Sequence, residues 1–301
     1  MIEKINQTFK AGYVAIVGCP NVGKSTLLNH LLNFKVSAVT RKKQTTRHQI
    51  RGILNGPNYQ VIFFDTPGLL TPKNQLHRAM LQAAYRSLKD ADLLLYMVEA
   101  ARVADPKDVQ LLKEIAQINS TILLVINKVD KVNRTDVLPL MDFYKDFAGI
   151  KNILPVSALK RDGLDILTRE ILNNLPEGLP FYSQDQVVDH PERFIASEII
   201  REKIFQRYGE EIPYATTVEI EEFNEHAGKK DFIKAVIYVE KSSQKGILIG
   251  KKGESLKKLG QAAREAMETI LGRSVFLELW VKVMEKWRQN EELLKKFGYF
   301  S

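Results

Sequence analysis

Two hydrophobic patterns follow one another along this chain. Up to about residue 175, short and nearly unbroken apolar runs predict strands near 13–17, 50–54, 59–65, 92–99, 121–127 and 152–156. Between them, apolar positions recur at three- and four-residue spacing, predicting helices near 25–32, 77–88, 106–117, 136–147 and 164–175. Alternation of this kind implies an α/β fold, a mostly parallel sheet covered by helices, with a ligand at the C-terminal ends of the strands. The pattern breaks at Leu175-Pro176-Glu177-Gly178-Leu179-Pro180, where two prolines and a glycine follow a helical stretch. Beyond it the order is a helix over 192–208, strands near 215–223 and 231–240, a short apolar helix at 246–249, a helix over 254–271, and an alternating strand Val275, Leu277, Leu279, Val281, Val283. A terminal helix over about 285–297 carries Trp287, Leu293, Leu294 and Phe297. The expected division is therefore an α/β domain over 1–178, a linker over 179–190 and an α+β domain over 191–301.

Composition narrows the class without deciding the function. With 301 residues and 45% hydrophobic content the chain has enough apolar material for two packed cores. No apolar stretch of about 18 residues is present to span a bilayer, and the first ten residues lack the core of a secretory signal. A single cysteine allows no internal disulfide, so a reducing cytoplasm is the expected compartment. The five histidines lack metal-ligand spacing.

The chemistry sits where strands end. Gly18-Cys19-Pro20-Asn21-Val22-Gly23-Lys24-Ser25 is a G-x-x-x-x-G-K-S phosphate loop between an apolar run and a helical pattern. Its glycines let backbone N–H groups face phosphate oxygens at a helix N-terminus, Lys24 is expected at the β/γ-phosphates, and the Ser25 hydroxyl at Mg²⁺. Asp65-Thr66-Pro67-Gly68 ends the strand-like run Val61 to Phe64; there a carboxylate serves the Mg²⁺ shell and Gly68 offers its N–H to the γ-phosphate. Asn127-Lys128-Val129-Asp130 follows the run Ile122 to Ile126 and selects guanine: an ionised Asp130 accepts two hydrogens that adenine does not present. The stem of Lys128 is expected over the base, and Ser157-Ala158 to bring a backbone N–H to the base oxygen. GTP and GDP are the ligands these motifs imply together.

The second domain reads differently. Its αββααβ order is that of a type II KH fold, with Gly250-Lys251-Lys252-Gly253 between two helices. At ~7% glycine a bare GxxG arises about once by chance in such a chain, so its place between helices is what counts. A loop of that shape clamps about four nucleotides of backbone. The net charge of +8 is not a signature of this domain: residues 1–182 hold 24 basic against 16 acidic residues, and residues 183–301 hold 20 of each. Local charge is what matters, and Lys241, Lys245, Lys251, Lys252, Lys257, Lys258 and Arg264 face Glu254 alone over 241–264. A second basic run, Lys35, Arg41, Lys42, Lys43, Arg47 and Arg51, contains no acid; contact with RNA and simple solvation remain equally open for it.

Gln44-Thr45-Thr46-Arg47-His48, Asp-Thr-Pro-Gly-Leu over 65–69, the stretch Arg193 to Lys203, the GxxG loop and Leu277 to Val283 together make the chain resemble the Era family, in the TrmE–Era–EngA group of translation-factor-class GTPases. The resemblance covers nearly the whole chain. It implies GTP hydrolysis coupled to RNA binding in 30S assembly, with Gly250, Lys251, Lys252, Gly253, Lys257 and Lys258 gripping the 3′ end of small-subunit ribosomal RNA, and peripheral association with the inner membrane. No DNA partner is expected. It also implies a K⁺ held near Asn21, with a simple loop-capping role for that residue equally open, and a first-switch threonine on Mg²⁺ with Ser25 and Asp65; Thr46 is the choice and Thr45 the alternative. Lys24, Thr46, Gly68 and Asn21 are the residues expected to act on the reacting phosphate. Where Ras places a water-orienting Gln, this chain has Leu69, which neither donates nor accepts, so unaided hydrolysis should be slow. Two other readings stay open: an RNA-binding scaffold with GTP as a structural ligand, and a GTPase switch acting on protein or membrane.

Overall fold

The computed structural model describes residues 8–40, 42, 45–69, 72–100, 104–118, 121–209, 211–226 and 229–300. Arg41, Lys43 and Gln44, named above, lie outside the described residues. The chain packs into two compact units, one of residues 1–37, 46–71 and 80–189, the other of 38–45, 72–79 and 190–301.

In the first unit, β1 (Lys10–Gly18), α1 (Lys24–Leu31), β2 (Ile50–Gly56), β3 (Tyr59–Asp65), α2 (Gln75–Asp90, from residue 80 onward), β4 (Leu93–Glu99), α3 (Pro106–Ala116), β5 (Ile122–Asn127), α4 (Arg134–Tyr144), β6 (Ile150–Val156) and α5 (Leu164–Asn174) follow one another. The sheet order is β2-β3-β1-β4-β5-β6, with β2 antiparallel to β3 and the remaining pairs parallel. Every residue of β5 and all but the last of β4 is buried, as expected of parallel strands covered on both faces. Because β1 lies between β3 and β4, its C-terminal end opens at the point where strand order reverses, which is where such sheets leave a crevice. Gly18, Asp65, Asn127 and Val156 end β1, β3, β5 and β6, so all four sequence motifs emerge along this edge.

Residues 179–189, expected as a linker, belong to this unit. Gln60 has no exposed surface and so must find partners inside; its amide donates to Tyr182 O at 2.9 Å and its oxygen accepts from the Phe181 and Tyr182 N–H groups at 2.6 and 2.9 Å. Ile53 N–H donates to Val187 O, and Arg51 pairs with Asp189 at 2.9 Å.

The second unit contains α6 (Glu192–Arg207), α7 (Glu211–Ala215), β7 (Thr217–Asn224), β8 (Asp231–Val239), α8 (Ser242–Ile249), α9 (Glu254–Leu271), β9 (Val275–Val283) and α10 (Glu291–Lys296). Its sheet runs β7-β8-β9, antiparallel then parallel. Alternation along β9 puts Val275 and Val281 into the core with Ile200, Ile237, Leu259 and Met267, and leaves Phe276 and Trp280 more than half exposed. The expected terminal helix over 285–297 is two pieces: Lys286 is left-handed (φ 53°), Trp287–Gln289 form one 3₁₀ turn, and Asn290 caps α10 by accepting from Leu293 N–H at 3.1 Å. An Asn side chain that caps a new helix competes with the continuous one. The break lets Trp287 bury completely, its indole N–H donating to Ala215 O at 2.9 Å. Among the described residues no helix is long and apolar enough to cross a membrane.

Candidate functional site

The phosphate loop leaves β1 at Gly18 and enters α1 at Lys24. Gly23 takes φ +109°, and a Cβ there would lie 2.3 Å from Asn127 Nδ2, so backbone and neighbour both require glycine. That neighbour ties two loops together: Asn127 Nδ2 donates to Val22 O at 2.7 Å, and Asn127 Oδ1 accepts from Ala158 N–H at 2.9 Å. The Ala158 N–H expected at the base oxygen is thus engaged by Asn127, and the contribution of Asn127 is to hold the phosphate and base loops in register. Each buried bond of this kind contributes about 1 kcal/mol net, and leaving either partner orphaned costs about 1–3 kcal/mol. Asp130 accepts from the Ser157 hydroxyl at 2.5 Å; a carboxylate has about four lone-pair sites, so two further donors remain within its capacity. Lys128 spans from Asn21 O (2.8 Å) to Glu99 (2.7 Å), a partner at the end of β4 that the motifs alone do not reveal.

Three oxygens from separate segments converge beside Lys24. Ser25 Oγ lies 2.8 Å from Asp65 Oδ2 and 3.0 Å from Thr46 Oγ1, and Thr46 Oγ1 lies 3.4 Å from the same carboxylate oxygen. Thr45 points elsewhere, to Thr40 Oγ1 at 2.6 Å and Lys42 O at 2.9 Å. Asp65 has no exposed surface, its Oδ1 has no hydrogen-bond partner among the described residues, and burial raises its carboxyl above the ordinary value against the pull of Lys24 and the hydroxyls of Ser25, Ser37 and Thr46. A buried orphan acceptor in an oxygen cluster fits a hard divalent cation. Lys24, also buried, donates to Gly18 O and Cys19 O at 3.0 Å each, and burial lowers its pKa. Both shifts arise from charge held away from water in a site shaped for ions of the opposite sign.

Around this cluster, Thr66 donates its hydroxyl to Ile16 O at 2.9 Å, Pro67 is buried, and Gly68 lies against Pro20, whose ring an added Cβ would meet at 3.1 Å. Leu69 is buried within the apolar cluster that includes Val17 and Val98, as its chemistry dictates. Val129 packs at the rim of the same cluster. The Cys19 thiol donates to Asp108, a buried carboxylate that the motifs did not single out.

In the second unit, a groove of about 660 Å³ runs along α9 and β9. Leu256, Gly260, Leu277 and Leu279 give it an apolar wall, while Lys230, Lys257 and Arg264 bring positive charge. Gly253 and Lys257 are the sequence candidates that line it; Gly250, Lys251, Lys252 and Lys258 lie outside the lining, with the three lysines exposed. Lys230 and Gln261 went unnoticed in the sequence: Lys230 precedes β8, and only the parallel β8–β9 pairing brings its end of the sheet to α9. Gly250 (φ +71°) packs so tightly on α9 that a Cβ would stand 2.6 Å from Ser255 Cβ.

A family model described as a 50S ribosome-binding GTPase matches residues 13–128, and a KH domain model matches residues 211–288. GTPase Era of Ruminiclostridium cellulolyticum is 43% identical over 292 residues, spanning 97% of this chain and 98% of its own. The chain belongs to the Era GTPase family. GTPase Era of Caldanaerobacter subterraneus subsp. tengcongensis is 45% identical, again over 97% and 98% of the two chains. Among solved structures, an Aquifex aeolicus Era variant bound to GDP.AlF4- matches with a TM-score of 0.94 and 44% identity over 97% of this chain and 100% of that one. An Era complex with MgGDPNP and nucleotides 1506–1542 of 16S ribosomal RNA matches with the same figures. The protein is accordingly a GTPase of P-loop fold with a C-terminal KH domain, as the motifs and the helix–strand order imply.

Proposed function

We propose that this Era-family GTPase hydrolyses Mg²⁺-bound GTP and couples its nucleotide state to a grip on the 3′ end of small-subunit ribosomal RNA during 30S assembly. The observation that carries the RNA half is the groove of the second unit, where an apolar wall suited to bases lies beside Gly253, Lys230, Lys257 and Arg264. The Era complex with 16S ribosomal RNA supports the same occupant. For the chemical half, Ser25, Thr46 and Asp65 are the residues that would hold Mg²⁺, which when bound neutralises charge on the β- and γ-phosphate oxygens. Lys24 would meet the same phosphates, Gly68 N–H the γ-phosphate, and Asp130 the guanine edge. Leu69 supplies no group to orient water, so basal turnover is slow and the bound partner accelerates it.

The deciding measurement is GTP hydrolysis with and without the 1506–1542 RNA segment. Stimulated turnover is expected. RNA binding that ignores the nucleotide would mean a scaffold, and no RNA binding at all would mean a switch for protein or membrane. Asn21, left-handed at φ 69° with its carbonyl held by Lys128, is the residue proposed to help place K⁺. Hydrolysis is expected to be faster in K⁺ than in Na⁺, and Asn21→Ala to erase the difference. We place the protein in the cytoplasm; peripheral attachment to the inner membrane rests on the family resemblance alone and is tested by flotation with vesicles.

A further inference from the structure

Ala38–Thr45 are early in the sequence but group with the C-terminal unit, and among the described residues Val39 and Lys42 meet α6. Val39 N–H donates to Glu202 Oε1 at 3.1 Å, and Glu202 is almost fully buried. The Lys42 ammonium donates to the carbonyls of Phe205, at 2.6 Å, and Tyr208. These carbonyls lie at the C-terminal end of α6, where a cation complements the helix dipole.

Tyr208 reaches the other way as well. Its ring is buried in the unit's apolar cluster with Ile204, Ile212 and Leu248. Its hydroxyl lies 3.1 Å from Leu248 O, in the last turn of α8, and 2.8 Å from Ser255 Oγ, in the first turn of α9. One phenol therefore joins the two helices whose connection is the Gly250–Gly253 loop, and Gly250 lies in tight contact with Ser255. We propose that Tyr208 is a positioning residue for the RNA-clamping loop, and that Lys42, by capping the backbone of Tyr208, makes the loop's geometry depend on where segment 38–45 sits.

This rests on the coupled function above and names its route. Segment 38–45 continues directly into Thr46, whose hydroxyl stands with Ser25 and Asp65. A triphosphate with its metal that draws Thr46 in fixes the end of the segment, and its loss releases it, the usual way a switch segment reports a γ-phosphate. The alternative for Lys42 is direct contact with RNA phosphate, which makes a different prediction.

The test uses the full chain and the 1506–1542 RNA segment, with affinity measured in GDP and in GDPNP at two or more salt concentrations. Coupling between sites typically spans 5- to 150-fold, so the wild-type affinity ratio between the two nucleotides should be at least about fivefold. Tyr208→Phe keeps the ring and removes the hydroxyl; Lys42→Met keeps the stem and removes the charge. Each should bring the ratio towards one, and Tyr208→Phe should leave nucleotide affinity and RNA-free GTP hydrolysis within about twofold, with folding verified by circular dichroism. Ser255→Ala, at the other end of the phenol contact, should reproduce Tyr208→Phe. A wild-type ratio that survives both Tyr208→Phe and Lys42→Met overturns the relay alone. So does Lys42→Met weakening RNA equally in both nucleotide states with a salt slope lower by about 0.7, the mark of a lost phosphate contact. A wild-type ratio of one overturns the coupled reading and the relay together.

Discussion

The two binding regions solve opposite problems. At the end of the parallel sheet, the groups that would meet GTP are already bonded into the scaffold: Lys24 to two carbonyls, Asn127 across two loops, Ser25 to Asp65 and Thr46, Asp130 to Ser157. In the second unit, Lys251, Lys252 and Lys257 are exposed beside an open groove. A buried, interlocked site selects one ligand because any mismatch strands a polar group away from water. An exposed cationic loop tolerates many sequences and answers to salt. Substitutions in the first region should therefore change which ligand binds, and substitutions in the second how strongly a strand binds.

Asp130→Asn tests the first statement most severely. The amide oxygen can still accept from Ser157, so the loop contact survives while one acceptor facing guanine becomes a donor. GTP affinity should fall by roughly 10³-fold or more, and xanthosine triphosphate should gain, in a competition assay. Unchanged GTP affinity would mean that Asn127 to Asp130 do not read the base.

Gly253→Asp is the corresponding test of the groove. Gly253 is left-handed (φ +79°) and no atom of the described residues lies within 4 Å of where a Cβ would stand, so strain is shared by any substitution and the added charge is not. Gly253→Ala measures the strain alone. The aspartate variant should lose about 100-fold in RNA affinity and the alanine variant less than tenfold, since like-charge juxtaposition costs several kcal/mol. Equal losses in the two would show that backbone geometry, not phosphate proximity, is at stake.

Changing Lys251 and Lys252 together to Ala should weaken RNA binding across sequences and lower the salt slope by about 1.4 if both meet single-stranded phosphates. An unaltered slope would transfer that role to Lys230, Lys257 and Arg264, which line the groove.

The smallest expected effect concerns protons. Burial raises the Asp65 carboxyl above its ordinary value, so its contribution to the stability of the ligand-free protein is present below its unfolded value and lost as pH rises through the folded one. Mg²⁺ needs the ionised form, so metal affinity should run the other way, weakening on acidification from above the usual carboxylate range by up to tenfold per pH unit. A Mg²⁺ titration of the GDP complex at several pH values checks the sign. Affinity independent of pH would remove Asp65 from the metal shell.

Most of the first region could be read directly because its chemistry is written in contiguous motifs at strand ends. The choice between Thr45 and Thr46 could not: the two are neighbours of the same type, and only folding sends one hydroxyl to Ser25 and the other to Thr40. The part played by Asn127 was equally hidden, since its partners lie 105 and 31 residues away. In the second region the GxxG loop was visible, but Lys230 joins it through strand pairing that no local pattern encodes. The contacts of Val39 and Lys42 with the C-terminal unit escaped a contiguous division at residues 178–190, because hydrophobic periodicity marks elements and does not say which core a connecting segment serves. The terminal helix is shorter than the apolar spacing over 285–297 implies because the Asn290 side chain accepts from Leu293 N–H and starts α10 there, a choice that apolar spacing does not encode.

Both tryptophans of the chain lie in the second unit, and they sit in contrasting surroundings: Trp287 is sealed in the interior with its indole N–H bonded, while Trp280 is half exposed on the outer face of β9. The molecule thus carries an optical label for one of its halves without engineering. Emission from Trp287 should be blue and move to the red only when this unit melts, whereas an external quencher should reach Trp280 in the intact protein. With no indole elsewhere, the melting of the nucleotide-binding half is silent in this channel, so fluorescence and circular dichroism scans read together separate the two halves of the molecule in one sample.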